Sequence, residues 1–437
     1  MDSKLVKIGM LIVSLFAVTV LLIVLGINGA FSGSSKNKNG SQVTADVPAE
    51  EEYDPASHLY DWMNDETFFD EVKLADGKYE VKEEKKADFL VSCIDKDIRI
   101  VVLDEEGKVI KGRRFCAGVE GLGEYGDEDR DGMILINDLS PGDYSISMED
   151  ITGYAFPENP VKISVKANIE YKAVKDISYL IKTEADIDVK KEDTAEKDAD
   201  DETLGTTAVK TTQGAVFGID VSKYNGDIDW QKVADEGVSF AIIRCGYRGS
   251  STGVIVEDPY YRRNIEGALK AGLDVGVYFF TQALDEKEAI EEASAVLSLL
   301  KGYKISYPIF IDSESAGGKG RADDLSVTAR SKALQAFCET VRNSGKKAGI
   351  YASKNWFNNR LDISKLSADN ITWLAEYADK PTYGATYQIW QYSSAGRIPG
   401  IEGRVDMNLS YLDIDVSDDK NTSRENDEDG QDISRDM

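Results

Sequence analysis

The sequence predicts an α/β protein: an irregular (β/α) barrel with eight strands and helices missing near its C-terminal end, preceded by a small all-β sandwich and an N-terminal transmembrane helix. Three observations carry this expectation. An uncharged apolar run stands near the N-terminus, short alternating runs between turn residues follow it, and beyond residue 214 apolar strand-length runs alternate with helical patterns.

Residues 8–27, "IGMLIVSLFAVTVLLIVLGI", hold no charge and are long enough to cross a bilayer as one helix. Lys4 and Lys7 precede the run, so the positive-inside rule leaves residues 1–7 in the cytoplasm and everything after residue 27 outside. A cleaved signal peptide is the alternative, but its apolar region usually runs about 7 to 15 residues, and no small-x-small site follows Ile27. The expected location is the cell membrane, single-pass, with exported domains. Residues 31–87 open "FSGSSKNKNGSQ", turn strongly acidic and read as a flexible stalk. His58, the sole histidine, lies there, which excludes Ser-His-Asp, Cys-His and HExxH sites unless the stalk folds back.

Residues 88–182 contain "IRIVVLDEEGKVI", "GMILINDLSPGDYSISM" and "NPVKISVKANIEYKAV", strand-length runs with Gly, Pro and Asp clusters between them, as in a β-sandwich. The stretch "LSPGDYSISMEDITGYAFPENPVKISV" resembles the Cna-B-like or prealbumin-like modules of surface proteins, which implies a spacer or adhesion role. In "DEDRDGMILIND", Asp127, Asp129, Asp131, Gly132 and Asp138 have the one-three-five-six-twelve spacing of a calcium loop. The flanks read as strands rather than helices, so a polar β-turn and a bound calcium both stay open. Cys93 and Cys116 share this module, and a disulfide between them is open too.

Residues 183–213 form a charged linker, 214–415 the barrel and 416–437 an acidic tail. The barrel strands are read at "VFGIDVS", "SFAIIRCGY", "DVGVYFFT", "YPIFIDSE", "KAGIYAS", "ITWLAEY", "YQIWQYS" and "RVDMNLS". Early gaps hold helical patterns such as "DEKEAIEEASAVLSLLKG" and "VTARSKALQAFCETVRNSG", and this alternation implies a parallel sheet. The last gaps are too short for a helical crossover. The net charge of −28 argues against nucleic acid as a partner. Residues 214–415 sum to only about −4, so spacers and tail carry the excess.

In "YPIFIDSESAGG" an apolar strand ends in two acids, Asp312 and Glu314. Positions i and i+2 of a strand share a face, about 6.6 Å apart, so both acids enter one cavity. Asp220 ends the first strand and Asp406 lies on the eighth, which lets four carboxylates meet at one barrel mouth. The segments "GIDVSKYNGDIDW", "IIRCGYRG", "PIFIDSES", "GIYAS", "WQYSSAGRIPGI" and "VDMNLS" resemble, in this order, the family 25 glycoside hydrolases over residues 214–413. The resemblance implies hydrolysis of the MurNAc-β-1,4-GlcNAc bond of peptidoglycan with retention, and Asp220, Asp312, Glu314 and Asp406 match the family's acidic site positions. Glycoside cleavage needs a proton donor and a group that stabilises an oxocarbenium-like centre. Glu314 is the expected acid, its ionisation disfavoured by three neighbouring carboxylates. Asp312 is expected to orient the 2-acetamido group as internal nucleophile, and Asp220 and Asp406 to position the sugar or stabilise developing positive charge. No cofactor is required.

Tyr278, Tyr351, Trp373, Gln391 and Tyr392 are the substrate-binding candidates, although the aromatic rings equally suit barrel packing. Cys245 and Cys338 read as buried thiols, and "SAGGKG" as a flexible βα loop without phosphate-loop spacing. Two rival functions stand beside the muramidase. A family 18 type chitinase needs Asp at 307 and 310, where Tyr307 and Phe310 stand, and a wall-binding surface protein would have lost catalysis.

Overall fold

The computed structural model describes residues 85–187 and 205–413. The expected membrane segment 8–27, His58, most of the stalk and the tail 416–437 lie outside the described residues. Among the described residues no helix is long and apolar enough to cross a membrane.

The barrel strands are β1 (Val216–Val221), β2 (Phe240–Arg248), β3 (Asp274–Phe280), β4 (Ile309–Asp312), β5 (Ala348–Ser353), β6 (Ile371–Ala375), β7 (Ile389–Gly396) and β8 (Val405–Ser410). Neighbours pair from β2 round to β7 in parallel, and β2 also pairs with β1. The eight strands close because β8 pairs with both β7 and β1, but it does so antiparallel. That corrects the all-parallel expectation. A gap of residues 397–404 holds a hairpin connection and no crossover, so the chain must reverse.

Helices α1 (Trp230–Asp235), α2 (Tyr261–Lys270), α3 (Glu286–Leu299), α4 (Val327–Asn343) and α5 (Lys354–Asn359) fill the first five gaps, and none stands between β6 and β8. Their starts follow capping chemistry: Asp285, Ser326 and Ser353 accept N–H groups of the first turns of α3, α4 and α5. Alternation along each strand sorts the side chains into two cores. Ile219, Val221, Ile309, Ile311 and Ile350 pack outward against the helices, whereas Phe240, Ile242, Phe310, Tyr351 and Trp373 fill the barrel interior. Glycine at 218 and 349 makes that interior possible, since a Cβ there would press into the rings of Phe240 and Phe310.

Residues 88–165 form two antiparallel sheets. One holds 88–94, 97–103 and 133–136, the other 123–126, 116–119, 142–148 and 161–165. They share one core that includes Phe89, Ile98, Ile100, Val102, Phe115, Ile134 and Ile146. Cys93 and Cys116 are free thiols. Asp97 accepts from Lys287 at 2.7 Å, and Arg99 donates to Glu291 at 2.7 Å, so the module sits on α3. Residues 166–182, expected as part of the module, run along the barrel instead: the Tyr171 hydroxyl donates to Glu286 at 2.6 Å, and the Val174 N–H donates to Ser294 at 2.9 Å.

The linker expected at 183–213 is likewise held at both described ends. Ile181 and Lys182 pair with Ile255 and Val256, and Gly205 bridges to Ser393. The Lys210 ammonium lies 4.9 Å from the Trp390 ring and donates to the carbonyls of Ala378 and Asp379.

Candidate active site

The strand parity that buries Ile309 and Ile311 outward turns Phe310 and Asp312 inward, and the same rule applies to Asp220 beside Ile219 and Val221. Because β8 runs antiparallel, Asp406 near its start reaches the end of the barrel where β1 and β4 finish, and it pairs in register with Asp220. All four acids, Asp220, Asp312, Glu314 and Asp406, line one cleft of about 1120 Å³. That exceeds an ordinary small-molecule pocket and suits an extended chain.

A hydrogen-bond chain holds Asp220 in place. Its Oδ1 accepts from Gln391 Nε2 at 2.9 Å and from Asn408 Nδ2 at 2.7 Å. Gln391 Oε1 in turn accepts the hydroxyls of Tyr351 at 3.0 Å and Tyr377 at 2.9 Å, and Asn408 Oδ1 accepts Trp373 Nε1 at 2.8 Å. Burial lifts the Tyr278, Tyr351 and Tyr377 phenols well above their ordinary values, and the carboxylates add to it. Tyr278 feels Asp220 and Asp312, Tyr351 feels Glu314, Asp312 and Asp220, and Tyr377 feels Asp406, Glu314 and Asp220. The three phenols therefore stay protonated donors among all four acids.

The loop after Glu314 is clamped, which corrects its reading as flexible. The Asp323 carboxylate accepts the N–H groups of Ala316 at 3.0 Å and Gly320 at 2.8 Å. Arg321 forks onto Glu288 of α3 at 2.7 and 2.8 Å, and Arg330 donates to the carbonyls of Ala322 and Asp323. An exposed glycine-rich composition misled the sequence reading because its partners lie outside the loop.

Of the substrate-binding candidates, Tyr278, Tyr351, Trp373 and Gln391 line the cleft. Trp373 is 1% exposed and packs edge-on against Tyr278, Phe310 and Tyr351, so it forms a floor rather than an open stacking wall. Tyr392 is a correction: it lies on the outer face of β7 in the helix-side core, against Trp390, with its hydroxyl toward Met407 Sδ. Adjacent strand residues cannot share a face, so Gln391 and Tyr392 exclude each other from the cleft.

Residues without a sequence-level role also line the wall: Arg244, Tyr224, Tyr377, and the ion pair of Lys354 with Glu376 at 2.9 Å. Arg244 had a legible signal, a charge in the middle of the wholly buried β2. Asn408 had one too, since it shares a face with Asp406. Tyr224 stands outside the strand pattern, and Tyr377, the last residue of the run "ITWLAEY", lies two residues beyond the end of β6.

Cys245 and Cys338 are buried, and burial pushes the Cys338 thiol up to about 12. Away from the cleft, ligand atoms of Asp127, Asp129 and Asp131 lie within 4.8 Å of one another. Asp127 also accepts the N–H groups of Asp131 at 3.2 Å and Gly132 at 2.9 Å, which folds the loop on itself. Asp138 does not join them. It follows strand 133–136, and its backbone N–H donates to Asp97 at 3.1 Å.

Comparison with known proteins agrees with this geometry. The autolytic lysozyme of Clostridium acetobutylicum is 28% identical over 191 residues, 44% of this chain and 54% of that protein. Lysozyme M1 of Streptomyces globisporus is 27% identical over 218 residues, 48% of this chain and 71% of that protein. A solved family 25 glycosyl hydrolase from Bacillus anthracis aligns over 47% of this chain and 93% of its own, at 25% identity and a TM-score of 0.40. The chain thus spans about half the length of the Clostridium relative. Residues 219–401 match the model of the glycosyl hydrolases of family 25, and the barrel that carries the four acids is a domain of that family.

Proposed function

We propose that the chain is a cell-surface lysozyme that hydrolyses the MurNAc-β-1,4-GlcNAc bond of peptidoglycan by retaining, substrate-assisted acid catalysis. The observation that carries this reading is the meeting of Asp220, Asp312, Glu314 and Asp406 in one extended cleft. Glu314 protonates the leaving oxygen, and Asp312 orients the 2-acetamido group, whose carbonyl oxygen attacks the anomeric carbon. Asp220, fixed by Gln391 and Asn408, and Asp406 stabilise the positive charge that develops on the sugar. Relatives of the barrel named as lysozymes support the substrate class. Digestion of purified cell walls should produce new reducing ends that are muramic acid. New ends that are N-acetylglucosamine would assign the opposite bond and remove the muramidase reading.

The surface location rests on residues 8–27, an uncharged run of membrane-spanning length behind Lys4 and Lys7. The intact chain should stay with host membranes through high-salt washing and leave only with detergent. Recovery mainly as a soluble form starting near residue 31 would identify the run as a cleaved signal peptide.

A further inference from the structure

One side chain in the cleft wall takes no part in the chemistry above. Arg244 on β2 is only 5% exposed yet contributes to the wall. Its Nε donates to Asp258 Oδ2 at 2.7 Å, while its Nη2 has no hydrogen-bond partner among the described residues. Buried guanidinium groups are ordinarily saturated, so a spare buried donor on a side chain that lines a cleft points to a ligand oxygen. The donor is also held in place. Asp258 accepts the backbone N–H of Lys223 at 3.1 Å and of Tyr260 at 2.9 Å, which fixes the carboxylate that fixes Arg244.

The other cations of the cleft are differently engaged. Lys354 is committed to Glu376, Arg360 donates to the Asp323 carbonyl, and Arg404 is exposed. The half-exposed ring of Tyr224 lies 5.1 Å from the Arg244 guanidinium, so a sugar that reaches Nη2 does so by moving that ring toward solvent. Arg244 and Asp312, the acid assigned to the 2-acetamido group, line the same cleft, and both act on the Tyr278 phenol.

A muramoyl residue differs from N-acetylglucosamine by a lactyl ether on C3, the carbon next to the one that carries the acetamido group. Its carboxyl or amide carbonyl oxygen needs a donor in a cleft otherwise rich in carboxylates. We propose that Arg244 donates to that lactyl oxygen and so selects muramoyl glycan over a plain N-acetylglucosamine polymer. This assignment rests on the muramidase reading.

The test measures calorimetric binding of two glycans to the full chain carrying Glu314→Gln: a GlcNAc–MurNAc tetrasaccharide and tetra-N-acetylchitotetraose. The muramoyl glycan should bind more tightly, and Arg244→Met on that background should reduce the preference about tenfold to hundredfold. Arg244→Lys keeps the charge beside Asp258 without the planar fork, which guards against a folding defect, and it should lose the preference as well. An unchanged preference in folded Arg244→Lys protein overturns the role of Arg244 and leaves the muramidase reading intact. Failure of the Glu314→Gln chain to bind either glycan overturns both.

Discussion

Glu314→Gln is expected to lower peptidoglycan hydrolysis by about 10²- to 10⁴-fold while leaving the thermal unfolding midpoint close to that of the parent chain. An amide keeps the shape of the carboxyl group but cannot deliver the proton that the leaving oxygen needs. The fold should tolerate the change because the loop after Glu314 is held by Asp323, Arg321 and Arg330. Release of soluble fragments from labelled walls measures the effect. Hydrolysis near the parent level would take the acid role away from Glu314.

Asp312→Asn is the second large effect, about 10²- to 10³-fold by comparison with the loss of a single aligned group in other active sites. Asp312 ends β4, faces inward beneath the cleft and is 4% exposed, so it has little freedom to approach the anomeric carbon as a mobile nucleophile. Its proposed work is to hold the acetamido group in line for attack. Intact-mass measurement of the parent chain during turnover should accordingly find no sugar ester on any carboxylate. An ester on Asp312, Asp220 or Asp406 would replace the substrate-assisted route with direct attack.

Most of the barrel was legible because strands buried on both faces form apolar runs of distinctive length, and the acids that close them interrupt that pattern. All eight strand positions were read that way, and the four acids line one cleft, although β4 ends at Asp312 and Glu314 stands two residues beyond it rather than on the strand face. Strand direction was less legible. Only the shortness of residues 397–404 hinted that β8 reverses, and the reversal explains why Asp406 sits near the start of its strand while Asp312 sits at the end. Tyr392 was misread by treating each aromatic residue separately, although parity with Gln391 already excluded it. Arg244 and Asn408 went unassigned although each stood as a polar residue in a buried strand, because their partners, Asp258 and Asp220, are set by the fold. The loop 315–323 failed for a related reason: besides Asp323 at its own end, it is held by Arg330 of α4 and by Gln282 and Glu288, which are remote in sequence.

The pinning of the second linker changes how the proposed anchor would work. A segment lends reach only when one of its ends is free to travel with its load, yet both described ends here are fastened to the same body, through Ile181–Lys182 and through Gly205. The two-sheet module is also seated on α3 by Asp97 and Arg99, so the described residues of module and barrel form one load. Read as a spacer, residues 183–213 thus add no reach between the two-sheet module and the barrel. Inserting residues between 187 and 205 should therefore leave the seating of the two-sheet module on the barrel unchanged.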